Sequence, residues 1–405
     1  MHIENLRMED GRRFAMLLDD GVPVYYPSLY ITTQKRDRSF ETQRNILNHI
    51  RILYKWCDIE GLNLEKRFRD GSPLTSRECR GLADFCAWDA ETMDRIQSGV
   101  RMLKSAYCEV GREEVSTRVA HIERYVNWLY KKITGCSDQE PALDSMLREI
   151  KDFKPKVKKF RKNDAPRISE EQLEILQRKI LPEHPENPWR GGAGIRLRNL
   201  IVVYLLLETG MRRGELAALY VKDIDFVGRR VFIYRRHDNP FDSRAQQPNQ
   251  KTHERTIPLS PELLALIDRY ILEVRSSTGR AKKHPFLFVA LRSHKGAPMS
   301  LSTANSIFKD LRKAFPELGR IHAHKLRHHW NFEFSNLIDE SMKDLPEEER
   351  SQFDRTSRSY LMGWNPNGVM AEKYNRRYAE EKAFEMLEKR NAKYTPRLPE
   401  DGDAE

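Results

Sequence analysis

The stretch Thr209-Gly210-Met211-Arg212-Arg213-Gly214-Glu215-Leu216-Ala217-Ala218-Leu219 decides how this chain folds. An apolar run, Leu200 to Leu207, leads into it. The Thr-Gly pair breaks that run, and a second helix starts with Leu216 and Leu219 on one face. Two arginines sit at the break. A helix start carries the positive end of the dipole and repels cations, so an arginine there is an odd choice for stability alone. The free backbone N–H groups and a guanidinium can instead share an anion.

Upstream, Ser169-Glu170-Glu171-Gln172 reads as an N-cap with acidic residues in the first turn, and it opens the domain around this stretch. A helix over about 196–208 precedes the Thr-Gly turn. Downstream, Arg230 to Arg235 and Thr256 to Leu259 are strand-like. Residues 229–259 therefore read as a β-hairpin with a long polar tip, His237 to Gln250. Pro261 to Ser276, Ser302 to Ala314 and His322 to Leu337 are helical in pattern. An acidic segment, Asp339 to Asp354, follows, then a turn at Leu361 to Trp364 and a long helix from Val369 to Arg390. The expectation for 168–390 is a helix-rich domain with one small sheet, followed by a polar tail at 391–405.

Residues 151–167 carry two prolines and eight basic residues and read as a linker. Lys154, Lys156, Lys158, Lys159, Arg161 and Lys162 would repel one another in water and lie readily along a phosphate backbone. Residues 39–150 read as a small helical bundle. Its stripes run from Thr42 to Glu60, from Ser76, over about 92–108, and from Glu113 to Ile133. Basic residues between these stripes (Arg44, Arg51, Lys55, Arg101, Lys104) suit either a phosphate or a solvated face. Residues 1–38 read as an extended arm, with strands at Arg13 to Leu18 and Val22 to Ile31 about an Asp19-Asp20-Gly21 turn.

The 405 residues exceed one ordinary core, so two or more domains are expected. Lys and Arg number 71 against 60 Asp and Glu, a net +11 that favours a polyanionic partner such as nucleic acid. No apolar run reaches the roughly 18 residues of a membrane span, and Met1 to Asn5 lacks a signal-peptide profile. A cytoplasmic protein is expected, nucleoid-associated if bacterial. Cys57, Cys79, Cys86, Cys108 and Cys136 are irregularly spaced and odd in number, a poor disulfide framework and a poor zinc site. His322 and His324, two apart, are a poor helical chelate, so no metal and no cofactor are expected.

Four features of the second domain carry chemistry. Arg212 sits at a helix start. Lys251 leads Lys-Thr-His-Glu-Arg-Thr-Ile-Pro-Leu at the hairpin. His324 and Arg327, three apart, share a helix face. Tyr374 and Tyr378 follow Trp364 on a late helix. Two converging arginines suit the two non-bridging oxygens of a phosphodiester. A tyrosine hydroxyl, with an ordinary pKa of about 10, needs such a field to act as a nucleophile. A lysine can protonate a leaving alkoxide. The set suggests phosphoryl transfer in which cationic side chains stand where magnesium stands elsewhere. Each residue also has a structural use: Arg212 can pair with Glu208 or Glu215, and Tyr374 and Tyr378, four apart, can be core aromatics.

Thr209-Gly-Met-Arg212-Arg-Gly-Glu215-Leu resembles the first box of the tyrosine recombinase (phage integrase) family. His324-Lys-Leu-Arg327-His328 resembles its H-x-L-R-H box, and Met362-Gly-Trp364 followed by Tyr374 is similar to its terminal segment. Lys251 stands where the family's hairpin lysine falls. The resemblance covers about 170–390, and more loosely the helical 39–150 segment, which is placed like the family's core-binding domain.

The resemblance implies a mainly α fold with a small β-hairpin or sheet (α+β). A helical DNA-binding domain and a mixed helical catalytic domain would form a C-shaped clamp on double-stranded DNA. It implies that Arg212 and Arg327 clamp the scissile phosphate and that Lys251 is the general acid. His324 would assist proton transfer, and Trp364 would donate a hydrogen bond. Tyr374, with Tyr378 as alternate, would form a 3′-phosphotyrosyl bond, and Glu215 would orient the site from behind. The implied protein is a metal- and ATP-independent site-specific recombinase of a mobile element, working as a homo-oligomer, a tetramer in the synapse, with accessory proteins unspecified. Two alternatives stand beside it: a catalytically inactive DNA-binding accessory protein, and a type IB topoisomerase or telomere resolvase-like enzyme. Compared with the family, the Arg327–Trp364 gap is long, and the acidic segment 339–354 is the natural insertion. The Arg212–Lys251 gap is long too, and Tyr374 falls one residue late.

Overall fold

The computed structural model describes residues 1–99, 107–136, 140–156, 167–248, 252–365, 368, 383, 386, 387 and 390. The chain divides into two units, Met1–Lys162 and Asn163–Glu405, each with its own apolar core.

The first unit opens with an antiparallel sheet of β1 (His2–Arg7), β2 (Arg13–Asp19) and β3 (Val22–Pro23). Seven helices follow among the described residues: α1 (Tyr25–Gln34), α2 (Phe40–Glu60), α3 (Leu64–Arg69), α4 (Ser76–Phe85), α5 (Ala90–Gln97), α6 (Arg112–Thr134) and α7 (Pro141–Asp152). Strand β2 alternates with period two, burying Ala15 and Leu17 against α2. Helices α2 and α6 pack through apolar stripes, Ile46, Leu47, Ile50 and Leu53 meeting Val119, Ile122, Val126 and Leu129 in one core.

Three expectations need correction here. Residues 1–38 are not an extended arm, because Ala15, Leu17, Tyr30 and Ile31 belong to the core of this unit. The strand expected over Val22 to Ile31 is strand only at Val22–Pro23 and then turns into α1. Its aromatic and β-branched residues suit a strand, but Pro27 is tolerated in a first helical turn, and Tyr30 packs edge-on against Tyr125 at 5.2 Å. Of the helix expected over 92–108, the described part ends at Gln97, and residues 100–106 lie outside the described residues. Beyond these, the Cys108 carbonyl accepts from Asp89 N–H at 2.9 Å, and Val110 N–H donates to Ala87 at 2.8 Å.

In the second unit come α8 (Glu170–Arg178), α9 (Ala193–Thr209) and α10 (Arg213–Ala218). A sheet of β4 (Ile224–Asp225), β5 (Arg230–Ile233) and β6 (Arg255–Pro258) follows, then α11 (Pro261–Arg269), α12 (Leu301–Ala314), α13 (Ala323–Ser341) and α14 (Glu347–Met362). The chain is thus mainly α with small sheets, an α+β fold. Ser169 caps α8, accepting from Gln172 N–H at 3.3 Å, while the Gln172 side chain accepts from Ser169 N–H at 3.4 Å. Helix α9 is the spine: Leu197, Leu200 to Val203, Leu205 and Leu206 are all buried, with α10, α11 and α13 packed on it.

The hairpin has a third strand, β4, antiparallel to β5. The described part of the polar tip is pinned to the body of the unit by two arginines. Asp223, fully buried, accepts from both terminal nitrogens of Arg236 at 2.6 and 2.8 Å. Arg244 pairs with Asp242 at 2.8 Å and donates to the carbonyls of Ala217 at 2.9 Å and Met299 at 2.7 Å. The acidic segment 339–354 is helical at both ends. It finishes α13 and supplies Glu347, Glu348 and Glu349 to the first turn of α14, where the helix dipole favours them. The helix expected over Val369 to Arg390 lies outside the described residues but for 383, 386, 387 and 390, and the tail at 391–405 lies wholly outside them.

Candidate active site

Helix α9 ends at Gly210, which takes a left-handed conformation (φ 59°, ψ 13°) and returns its N–H to Leu206. A side chain there would place a Cβ 2.9 Å from both Met362 Cε and Trp330 Cγ. Arg212 is the N-cap of α10, and the Glu215 carboxylate accepts from Arg212 N–H at 2.8 Å. That bond satisfies a helix-start donor from a position three residues on. The Arg212 side chain is 34% exposed and lies 3.5 Å from Glu215, which is fully buried. Its Nη1 is buried and has no hydrogen-bond partner among the described residues.

Burial works to push the Glu215 carboxyl up, but the Arg255 guanidinium, the Arg327 charge and the Thr252 hydroxyl outweigh it and hold it below the ordinary carboxylate range. Arg255, at the head of β6, is itself buried. Its Nη2 donates to Glu215 at 2.6 Å, its Nη1 to the other Glu215 oxygen at 3.3 Å, and its Nε to the Leu361 carbonyl at 2.6 Å. The Thr252 hydroxyl donates to the same carboxylate. His253 N–H donates to the Gly363 carbonyl at 3.0 Å, joining this strand to the turn after α14.

Arg327 comes from the second turn of α13 and is 2% exposed. Its Nη1 donates to Gly210 O at 2.7 Å and its Nη2 to Met362 O at 3.2 Å. The guanidinium lies 5.4 Å from the centre of the Trp364 ring. Trp364 follows Gly363, another left-handed helix end, and its N–H donates to Ser359 at 2.8 Å. Trp330 Nε1 donates to Glu208 O at 2.9 Å, so α13 grips the end of α9 at two points. His324 stands exposed at the start of α13 with its ring 4.2 Å from that of His328.

Arg212, Glu215, Arg327 and Trp364 are therefore drawn around the Gly210 turn by three separate parts of the chain. His324 sits one helical turn from Arg327 at the same end of α13. Lys251, Tyr374 and Tyr378 lie outside the described residues, as do Lys158, Lys159, Arg161 and Lys162. Lys154 is half-buried and Lys156 exposed just after α7. Arg255 and Thr252 were not singled out from the sequence. The signal was the Arg-Thr-Ile-Pro-Leu strand itself: an arginine that opens a buried strand needs a carboxylate, and Glu215 was already in view. Chemically, the turn offers a partly accessible guanidinium with a free buried donor beside a second, fixed guanidinium. That is a seat for an oxyanion.

Residues 177–342 match the model of the phage integrase family. The chain is 34% identical over 136 residues to y4rF of Sinorhizobium fredii, named for the integrase/recombinase class, with 33% of this chain and 28% of that protein covered. It is 28% identical over 132 residues to the tyrosine recombinase XerC of Staphylococcus haemolyticus, covering 33% of this chain and 38% of that one. The chain thus spans about a third of the length of the curated relatives it matches. Among solved structures, the Tn1549 transposon integrase in complex with transposon right end DNA is similar at a TM-score of 0.48 and 14% identity. That likeness covers 90% of this chain and 100% of the other. Among the described residues no helix is long and apolar enough to cross a membrane.

Proposed function

We propose that this chain is a tyrosine-type site-specific DNA recombinase of a mobile element, acting on double-stranded DNA through a 3′-phosphotyrosyl intermediate. The observation that carries the reading is the pair of guanidiniums, Arg212 and Arg327, brought to one glycine turn from two helices far apart in the sequence. Their charge suits the two non-bridging oxygens of the scissile phosphate. In this reading the Tyr374 oxygen attacks phosphorus, a Tyr–O–P bond forms, and the bond to the 5′-oxygen breaks. Lys251 gives that oxygen its proton, His324 assists proton transfer and Trp364 donates a hydrogen bond. A 5′-hydroxyl from a partner strand then attacks the phosphotyrosine and releases the tyrosine. The phosphodiester energy is kept in the protein–DNA bond, so the reaction needs neither ATP nor a metal. Residues 39–150 and the basic linker with Lys154 to Lys162 would grip the duplex. The family's pairing of two sites calls for a tetramer, and the protein would work where the DNA is, in the cytoplasm.

The test uses nicked suicide duplexes cut from the ends of the element that carries the coding sequence. A covalent protein–DNA adduct on a denaturing gel, lost in Tyr374→Phe, is the expected result. Retarded DNA with no adduct from the wild type would make it an inactive accessory protein. An adduct surviving Tyr374→Phe but not Tyr378→Phe would move the nucleophile.

A further inference from the structure

We infer that Arg255 is a positioning residue of this site: it occupies Glu215 so that the Arg212 guanidinium stays available to a phosphate oxygen. The inference rests on the reading of Arg212 as a phosphate ligand. A carboxylate accepts only, with roughly four lone-pair positions. In Glu215 all are taken. Oε2 accepts from Arg212 N–H at 2.8 Å and from Arg255 Nη2 at 2.6 Å. Oε1 accepts from Arg255 Nη1 at 3.3 Å and from the Thr252 hydroxyl. Arg212 Nη1 is the next donor, only 3.5 Å away, yet it makes no hydrogen bond although it is buried. A buried donor left without a partner is a cost unless a ligand fills it. Glu215 alone would fill it readily, as a fork of two parallel bonds. Arg255 prevents this by taking one place on each oxygen.

Arg255 does not compete for the phosphate itself. It is 4% exposed, and its Nε is fixed to the Leu361 carbonyl at 2.6 Å. Its charge also matters. Three guanidiniums surround one carboxylate, so the turn keeps a net positive field for an incoming anion. Without Arg255, Glu215 would neutralise the half of the clamp that is meant to face DNA. The same carboxylate would then turn from a support for the α10 start into a competitor of the substrate.

The test is the single-turnover rate of adduct formation by the full chain on the suicide duplex. Arg255→Leu should fall by roughly a hundredfold. Adding Glu215→Gln to it should recover roughly tenfold or more, because a neutral amide does not capture Arg212, and the melting temperature should not recover with the rate. Arg255→Lys, which keeps the charge with fewer bonds, should fall in between. A double variant no faster than Arg255→Leu, or a single variant as fast as wild type, overturns the role. If Arg255→Leu shows no cooperative melt, Thr252→Val takes its place, with a smaller loss that Glu215→Gln again relieves. Wild type giving no adduct overturns the recombinase reading, and this role with it.

Discussion

The guanidinium of Arg327 donates to the carbonyl of Gly210 at 2.7 Å, across 117 residues of chain. The bond fastens α13 to the end of α9. It also fixes the plane of the whole charged group, because a guanidinium is rigid once one edge is held. Met362 O holds its other terminal nitrogen at 3.2 Å, so α13, α9 and the end of α14 meet on one side chain. The turn that makes this possible is left-handed, which a glycine adopts without strain.

Gly210→Ala is the direct test of that turn. The positive φ alone costs about 1–2 kcal/mol in an L-residue, and the new Cβ would stand 2.9 Å from Trp330 and Met362. Crowding of that kind adds roughly 1–3 kcal/mol. The variant should therefore unfold in urea with a loss of about 2–5 kcal/mol. A midpoint indistinguishable from wild type would mean the turn is not strained by a side chain.

Arg327→Lys keeps the charge and loses the fork. One ammonium cannot reach both Gly210 O and Met362 O in the same geometry, and hydrogen bonds from a charged group are worth roughly 1.5–3 kcal/mol each. A loss of about 2 kcal/mol in stability is expected, together with a fall of roughly a hundredfold in adduct formation on the suicide duplex. Cleavage at the wild-type rate would remove Arg327 from the clamp.

Much of this architecture was legible because it is local. The Ser169 cap, the fully apolar α9 and the Thr-Gly stop are written in adjacent residues, and so are the two boxes that supply Arg212 and Arg327. What was not legible depended on partners far along the chain. Tyr25 to Gln34 has strand-like residue types, and the partners that bury it, Tyr125 and Trp128 on α6 against Tyr30, lie far along the chain. Arg236 and Arg244 look like a solvated loop until Asp223, Asp242 and the carbonyls they hold are known. Arg255 opens a strand whose apolar residues hint at burial, but the strand does not say which carboxylate it meets. Its carboxylate lies 40 residues back.

His329 makes stability depend on pH. Burial, with Lys325 and Arg167 adding positive charge, lowers its pKa from 6.5 to about 4. Its Nδ1 accepts from Ile168 N–H at 3.2 Å, a bond that needs an unprotonated nitrogen. The unfolded chain binds the proton more readily, so the contribution is complete above about pH 6.5 and is lost as pH falls towards 4. His121, also lowered to about 4, acts in the same direction from the other unit. The measurement is therefore the difference in unfolding free energy between wild type and His329→Gln. That gap should narrow steadily from pH 7 to 4.5. A constant gap would show that the imidazole is not neutral in the folded state.

Asp354 and Arg358 make a different kind of pair, one whose removal in halves should cost more than its removal as a whole. Both are buried between α13 and α14, with Arg358 donating to Asp354 at 3.0 and 2.6 Å and to the Ser335 hydroxyl. Burial pushes the Asp354 carboxyl up, against the pull of Arg358 and Ser335. Arg358→Met leaves that carboxylate buried without its cation and should cost roughly 3–5 kcal/mol. Asp354→Leu strands the guanidinium and should cost a similar amount. The double variant replaces an ion pair by apolar volume and should be more stable than either single one. Because this pair packs α14, whose last turn supplies Met362 O to Arg327, the single variants should also slow adduct formation while the double variant regains part of it. Additive losses in a double-mutant cycle would show that the two side chains do not act as a pair.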